Sequence, residues 1–247
     1  MRRGMPPPKK HRKTAALMAH ALETVAIEGI EVTQAVQDME HSVTLIAGKP
    51  TVVRVYLGRQ AGAAITVRGE ISVRRTASGP ARNVPSLDAV RVSKEQNGKL
   101  RRKREDLRLS LNFMLPEPLT TEGNLIISLA LVTNIGTGEE VVCTNASTEV
   151  RRVKLSPSPP LRVKLLRLRY QTRSPARTHA PSERDISLIK SWLKRVYPVG
   201  QTTFSERTIE ANFGPPFDED EDTCNVANAQ LAVIRNLDID GGADQRE

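Results

Sequence analysis

The sequence predicts a mainly β protein: an immunoglobulin-like antiparallel β-sandwich over residues 26–155, then an incomplete α/β segment over residues 161–247. Three observations carry this. Apolar and polar residues alternate with period two through nearly all of the first part. The run Ser156-Pro157-Ser158-Pro159-Pro160 then breaks the pattern, because consecutive prolines lack the amide donors a ladder needs; residues 156–160 are an extended linker. Beyond it, apolar residues recur at helical spacing between two strand-like runs.

Met1 to Lys13 is rich in Pro, Lys and Arg, and residues 1–25 are expected to be a disordered basic segment, with an Ala-rich stretch from Ala15 to Ala26 suited to a short helix. Its apolar stretch is interrupted by His20 and Glu23, so it makes a poor signal peptide. The first strand is expected at Gly29 to Gln34. Val43, Leu45 and Ile46 suggest a short strand, and Gly48-Lys49-Pro50 a turn. A phosphate-loop reading of Gly48-Lys49 fails, because Val43 stands where a Gly is required and Pro50 where Ser or Thr is. Val53, Val55 and Leu57 then point to one face and Arg54 and Tyr56 to the other, which predicts one buried and one wet face.

Ile65, Val67, Ile71 and Val73 define a further strand, and Leu107, Leu109, Leu111 and Phe113 another. Leu125, Ile127, Leu129 and Leu131 share one face of a strand whose opposite face carries Ile126, Ala130 and Val132, as a central position requires. Ser93 to Arg104 is polar and charged and is expected to be an exposed hairpin loop.

After the linker, Leu161 to Tyr170 reads as a strand. Ser182, with Asp185 three residues on, forms a capping box for a helix marked by Ile186, Ile189, Leu193 and Val196, which Tyr197-Pro198 ends. Thr202 to Ala211 suits a strand. Asp222 or Thr223 suits the cap of a second helix running to about Asn236. A sheet of this kind is unfinished, so its apolar edges are expected to need a covering partner.

The net charge is +9, concentrated in the N-terminus, in Arg91–Arg104 and in Arg151–Arg177, while Asp218–Asp222 is acidic. Such asymmetry suits a nucleic acid or another polyanion, but also ordinary solvated faces; aromatic stacking platforms are scarce. No apolar run approaches the ~20 residues that span a bilayer. Cys143 and Cys224 form no CxxC motif, and a disulfide and two free thiols are both compatible with their positions. Asp238, Asp240 and Asp244 with Gly241-Gly242 do not match EF-hand spacing, and the run at 218–222 reads as a solvated loop that assists the next helix through its dipole. Asn145-Ala146-Ser147 matches a glycosylation sequon. Trp192 lies at helical spacing and is expected in a core or an interdomain contact. There is no G-x-S-x-G elbow.

The run IEVTQAVQDMEHSVTLIAGKPTVVRVYL, with Gln34, Lys49-Pro50-Thr51 and Arg54-Val55-Tyr56, resembles the N-terminal module of a group of large bacterial proteins whose C-terminal part is a zincin-type zinc metallopeptidase. LRVKLLRLRYQ, SWLKRVYPV and Asn228 to Arg246 resemble the start of that second part. The resemblance implies a secreted or cell-surface protein, and it implies zinc for the full-length family only. The zinc chemistry needs H-E-x-x-H, two His at i and i+4 on one helix face. The histidines here are His11, His20, His41 and His179, no two of them four apart. No catalytic, cofactor-binding or metal-binding residue is therefore assigned. The expected function is a non-catalytic accessory or interaction module cut off before the metal site; its partner would be the missing catalytic portion or a protein covering the α/β segment. The alternative is a basic nucleic-acid- or polyanion-binding protein.

Overall fold

The computed structural model describes residues 23–173, 176–210 and 221–240. They form a mainly β structure with several sheets. The first part contains β1 (Thr24–Thr33), β2 (Leu45–Ile46), β3 (Val52–Gly58), β4 (Ile65–Arg74), β5 (Arg82–Pro85), β6 (Val90–Val92), α1 (Leu100–Glu105), β7 (Leu111–Met114), β8 (Gly123–Asn134), β9 (Val142–Cys143) and β10 (Val150–Ser156). One sheet has the order β7-β3-β1-β9; the other has the order β2-β10-β8-β4-β5, with β6 also paired to β4. The inner faces of the two sheets share one hydrophobic core, in which Val32, Val53, Val55, Leu111 and Phe113 of the first sheet meet Val67, Ile71, Leu125, Ile127 and Leu155 of the second. Most pairings are antiparallel. The β1–β9 and β2–β10 pairs are parallel.

Two bulges reset which side chains face this core. In β1 the register slips between Ile27 and Gly29, so Val25 and Ile27 before it and Ile30 and Val32 after it all point inward. In the β4–β8 pair Glu70 opposes Leu131 and Ile71 opposes Leu129, which leaves Ala130 unpaired. Leu125, Ile127 and Leu129 face inward, but beyond Ala130 it is Val132 that is buried and Leu131 that turns outward. Plain alternation misplaces Leu131 and Val132 for this reason. The predicted central position of this strand holds, with β10 on one side and β4 on the other.

Several other expectations are corrected. The short strand expected at Val43 to Ile46 is only Leu45–Ile46; it belongs to the sheet opposite β3, and Gly48, at φ +76°, is where the chain crosses over. Leu107–Leu109 is a short 3-10 turn rather than strand. Residues 93–104 are not an exposed hairpin: a 3-10 turn at Lys94–Gln96 and α1 fold back over the outer face of the first sheet, and Lys103 is buried. That cover is why β3 is buried on both faces, Arg54 and Tyr56 included. Thr24 to Ala26 are strand, and the rest of the proposed N-terminal helix lies outside the described residues.

The second part contains β11 (Leu161–Arg173), β12 (Ala176–His179), α2 (Glu183–Val196), β13 (Thr202–Glu210) and α3 (Glu221–Asp240). Its sheet has the order β12-β11-β13, with β11 and β13 parallel from Leu161↔Thr202 to Arg169↔Glu210. The Ser182–Asp185 capping box forms in full, and Tyr197 is the C-cap of α2. His179 lies in β12, stacked on Tyr170 with centroids 5.2 Å apart, and not in a loop. Asp222, Thr223, Asp238 and Asp240 lie within α3, so the helix starts earlier and ends later than its apolar pattern indicates. The remainder of the 218–222 and 238–247 acidic stretches lies outside the described residues.

Candidate interaction surface

Gln34, Lys49, Thr51, Arg54 and Tyr56, among the residues that carry the sequence resemblance, perform architectural work. Gln34 binds the backbone of Ile46 as a strand would, its Oε1 accepting from Ile46 N–H at 2.8 Å and its Nε2 donating to Ile46 O at 2.7 Å. Its Nε2 also reaches Thr51 Oγ1, and the Thr51 hydroxyl donates to Lys49 O. The same two-point clamp recurs three times: Gln37 on Val43, Asn97 on Arg59 and Asn145 on Ile27. Each amide satisfies one donor and one acceptor that no neighbouring strand reaches.

Two buried cations from the β3 region close the ends of two helices. Arg54 donates to the carbonyls of Lys103 (3.0 Å), Arg104 (2.9 Å) and Asp106 (3.2 Å) at the end of α1, and its Nε reaches Ser110 Oγ. Lys49, 3% exposed, donates to the carbonyls of Lys194 (3.3 Å), Arg195 (3.0 Å) and Tyr197 at the end of α2. The last carbonyls of a helix have no intrahelical partner and carry the negative end of its dipole, so a cation is the fitting cap. Lys49 therefore ties the two-sheet part to the α/β part. Burial holds its pKa below the ordinary lysine value.

Glu31 anchors the outer face of the first sheet. It accepts from Tyr56 Oη at 2.5 Å and from Arg104 Nη2 at 2.9 Å, while the Arg54 guanidinium lies 5.1 Å from the Tyr56 ring centre. Burial pushes the Glu31 carboxyl up, but the Arg104 guanidinium, the Tyr56 hydroxyl and the Arg54 charge together bring it below the ordinary carboxylate value. Burial and the bond to Glu31 push the Tyr56 hydroxyl well up. Lys103 is held by Glu28 at 2.7 Å and by Leu57 O. Each of these ionisable groups is thus engaged by a neighbour on the outer face of the first sheet.

The two histidines among the described residues, His41 and His179, are not brought together; His11 and His20 lie outside the described residues. His41 Nε2 accepts from Val32 N–H at 2.8 Å, which fixes the proton on Nδ1, where it faces Met39 O at 3.1 Å. Both ring nitrogens are thus engaged. His179 lies in the separate three-stranded sheet. Among the described residues no group of three or more His, Cys, Asp or Glu side chains is arranged to hold a metal. Cys143 is a half-buried free thiol whose pKa burial raises, packed against the core; the Cys224 side chain lies outside the described residues.

What stands out as unused is one face of α2. Towards its own sheet α2 presents charge: Glu183 pairs with Arg167, Arg167 with Glu206, and Glu206 with Lys190, while Lys190 and Lys194 lie over the Phe204 ring. Ile186 is its buried apolar contact. Leu188, Ile189, Trp192 and Val196 face solvent instead, with Leu188 58% and Trp192 53% exposed. Spacings of three and four residues place these four along one stripe. Of the two places expected for Trp192, a core or an interdomain contact, the core is corrected: helical spacing identified the stripe, but Glu183, Lys190 and Lys194 took the sheet.

Three cations of the basic stretch Arg151–Arg177 are engaged internally. Arg151 Nε donates to Ile30 O, and Arg167 and Arg169 pair with Glu183, Glu206 and Glu210. Among the described residues no helix is long and apolar enough to cross a membrane. A search against protein-family models and one against curated proteins find no match to this chain.

Proposed function

We propose that the chain is a non-catalytic accessory and interaction module: an immunoglobulin-like β-sandwich to which an α/β segment is fastened so that the outer stripe of α2 can dock a protein partner. The observation that supports this reading is the polarity of α2, whose Glu183, Lys190 and Lys194 meet its own sheet while Leu188, Ile189, Trp192 and Val196 remain open. A contiguous apolar stripe rimmed by polar residues is the usual mark of a surface that another polypeptide covers. β13 ends its sheet with one edge unpaired among the described residues, which offers a strand as well as a helix to a partner.

The occupant we infer is a zincin-like catalytic portion, as the resemblance of Ile30–Leu57, Leu161–Gln171, Ser191–Val199 and Asn228–Arg246 to the front of zinc metallopeptidases implies. The metal ligands would then come from outside these 247 residues, since the sequence carries no H-E-x-x-H motif and no group of three or more His, Cys, Asp or Glu side chains is gathered among the described residues. The test is the intact mass of the native product, together with the coding sequence beyond codon 247. A larger product carrying an H-E-x-x-H helix supports the reading. Peptide hydrolysis by the purified 247-residue chain alone would refute its non-catalytic part.

A further inference from the structure

A second feature, independent of the docking of α2, lies on the opposite kind of surface. Between the end of β6, the 3-10 turn at Lys94–Gln96 and α1 there is an open cleft of about 520 Å³. Its lining includes Arg91, Ser93, Gln96, Lys99, Arg102 and Leu109. The acidic groups that also border it are engaged already. Asp106 is chelated by the Nε and Nη2 of Arg108 at 3.0 Å each, Glu105 pairs with Arg101, and the Glu95 carboxyl is held below its ordinary value, first by the Ser93 hydroxyl and more weakly by the Arg91 and Lys94 charges. Lys103 is matched by Glu28.

Arg91, Lys99 and Arg102 form no ion pair among the described residues, Arg91 acting on Glu95 only through its charge. All three are exposed, and among the described residues no carboxylate lies within 4 Å of any of them. The half-buried Gln96 side-chain amide makes no hydrogen bond among the described residues either. Three unmatched cations and a free amide around one concavity supply forked guanidinium donors, a mobile ammonium and a neutral donor–acceptor pair. The folded-back segment 93–106 is held rigidly beneath them by Arg54, Lys103 and Asn97, so the cleft is formed before any ligand arrives.

We propose that this cleft binds a compact polyanion bearing two or more phosphate or carboxylate groups, with Arg91 and Arg102 as bidentate partners and Lys99 and Gln96 completing the site. A cleft of this size admits a small-molecule ligand rather than the continuous track that a nucleic acid needs.

The test is calorimetric titration of the 247-residue chain with tripolyphosphate and, separately, tricarballylate, to distinguish phosphate from carboxylate sources. Saturable one-to-one binding is expected, weakened about tenfold or more by Arg102→Gln and further by Arg91→Gln. Arg184→Gln and Arg195→Gln, exposed cations on α2, should leave it unchanged. The Gln96 side-chain amide resonance should shift on addition of the favoured anion, which reads the site without any substitution. No binding of either anion at millimolar concentrations would overturn the proposal. So would equal weakening by the α2 variants, which would signify diffuse surface charge, or tight binding of a single-stranded oligonucleotide that survives loss of Arg91 and Arg102.

Discussion

Lys49 donates from Nζ to the carbonyl oxygen of Tyr197, the C-cap residue of α2, across a sequence separation of 148. Through this bond and its companions to Lys194 and Arg195, the turn that lets the chain change sheets also fixes the end of a helix in the following segment. Gly200 lies against the Ala47 carbonyl at the same junction, too close to admit a Cβ without movement. The relation between the two parts is therefore set by a buried ammonium and not by a broad apolar contact.

Lys49→Met keeps the stem of the side chain and removes its charge. Three helix-end carbonyls then lose their donor, at a cost of about 1–3 kcal/mol. The loss should be local: hydrogen exchange of the last turn of α2 should accelerate while that of β3 and β8 stays slow. Uniform acceleration across both parts would show that Lys49 supports the whole fold and not the junction.

Tyr56→Phe removes one hydroxyl from the Glu31 carboxylate without changing the ring or its contact with Arg54. A hydrogen bond to a charged acceptor is worth about 1.5–3 kcal/mol, and the buried position offers no water to replace it. Urea unfolding should show a lower midpoint at unchanged slope.

The pH dependence follows from His41. Burial, then the Arg151 charge, holds its folded pKa below the ordinary 6.5, against a smaller opposing pull from the Met39 carbonyl, Glu31 and Asp38. The unfolded chain thus takes up the proton first. The stabilisation that His41 gives is complete above the unfolded value and is lost as pH falls through the lower folded one. Its Nε2 cannot both accept from Val32 N–H and carry a proton. Stability of the native protein should therefore decline between pH 7 and 5, and His41→Asn, which tolerates the φ of +60° at this position, should flatten that decline while lowering stability at pH 7. Glu31 adds a loss of the same sign further down, below the ordinary carboxylate range.

Asn145 illustrates a motif overruled by structure. Its amide accepts from Ile27 N–H at 2.8 Å and donates to Ile27 O at 2.9 Å, so the nitrogen that a glycan would occupy is already in use. Expression in a glycosylating host should give the unmodified mass. Asn145→Ala should cost about 1–3 kcal/mol by exposing two backbone groups at the β1 edge.

Much of this architecture was legible in the sequence. The strand through Val53, Val55 and Leu57, the Ser182–Asp185 box and the helix from Ile186 to Val196 follow from local period and capping chemistry, and the structure reproduces them, though not the wet face expected for that strand. What was not legible depended on long-range partners. Arg54 and Tyr56 look solvent-facing until residues 93–110 fold over them, and a run such as LRRKRE gives no sign that its third basic residue will be buried against Glu28. The inward turn of Val132 required a bulge at Ala130 that alternation cannot announce. The outward face of α2 was hidden for a similar reason: helical spacing gives the stripe, but the choice between stripe and charges was made by Arg167 and Glu206 in the sheet beneath. The unmatched state of Arg91, Lys99 and Arg102 likewise becomes visible only once the neighbouring carboxylates have found other partners.

The central claim is that the Leu188–Val196 face of α2 is covered in the working protein. Trp192 is the sole tryptophan of the chain and sits in the middle of that face, so its fluorescence reports on the stripe alone. The decisive measurement compares acrylamide quenching of Trp192 in the native product with that in the isolated 247-residue chain. Strong quenching in the isolated chain and a shielded, blue-shifted indole in the native product is the predicted result. Equal, unrestricted quenching in both would contradict the account, because the stripe would then face water in the form that functions.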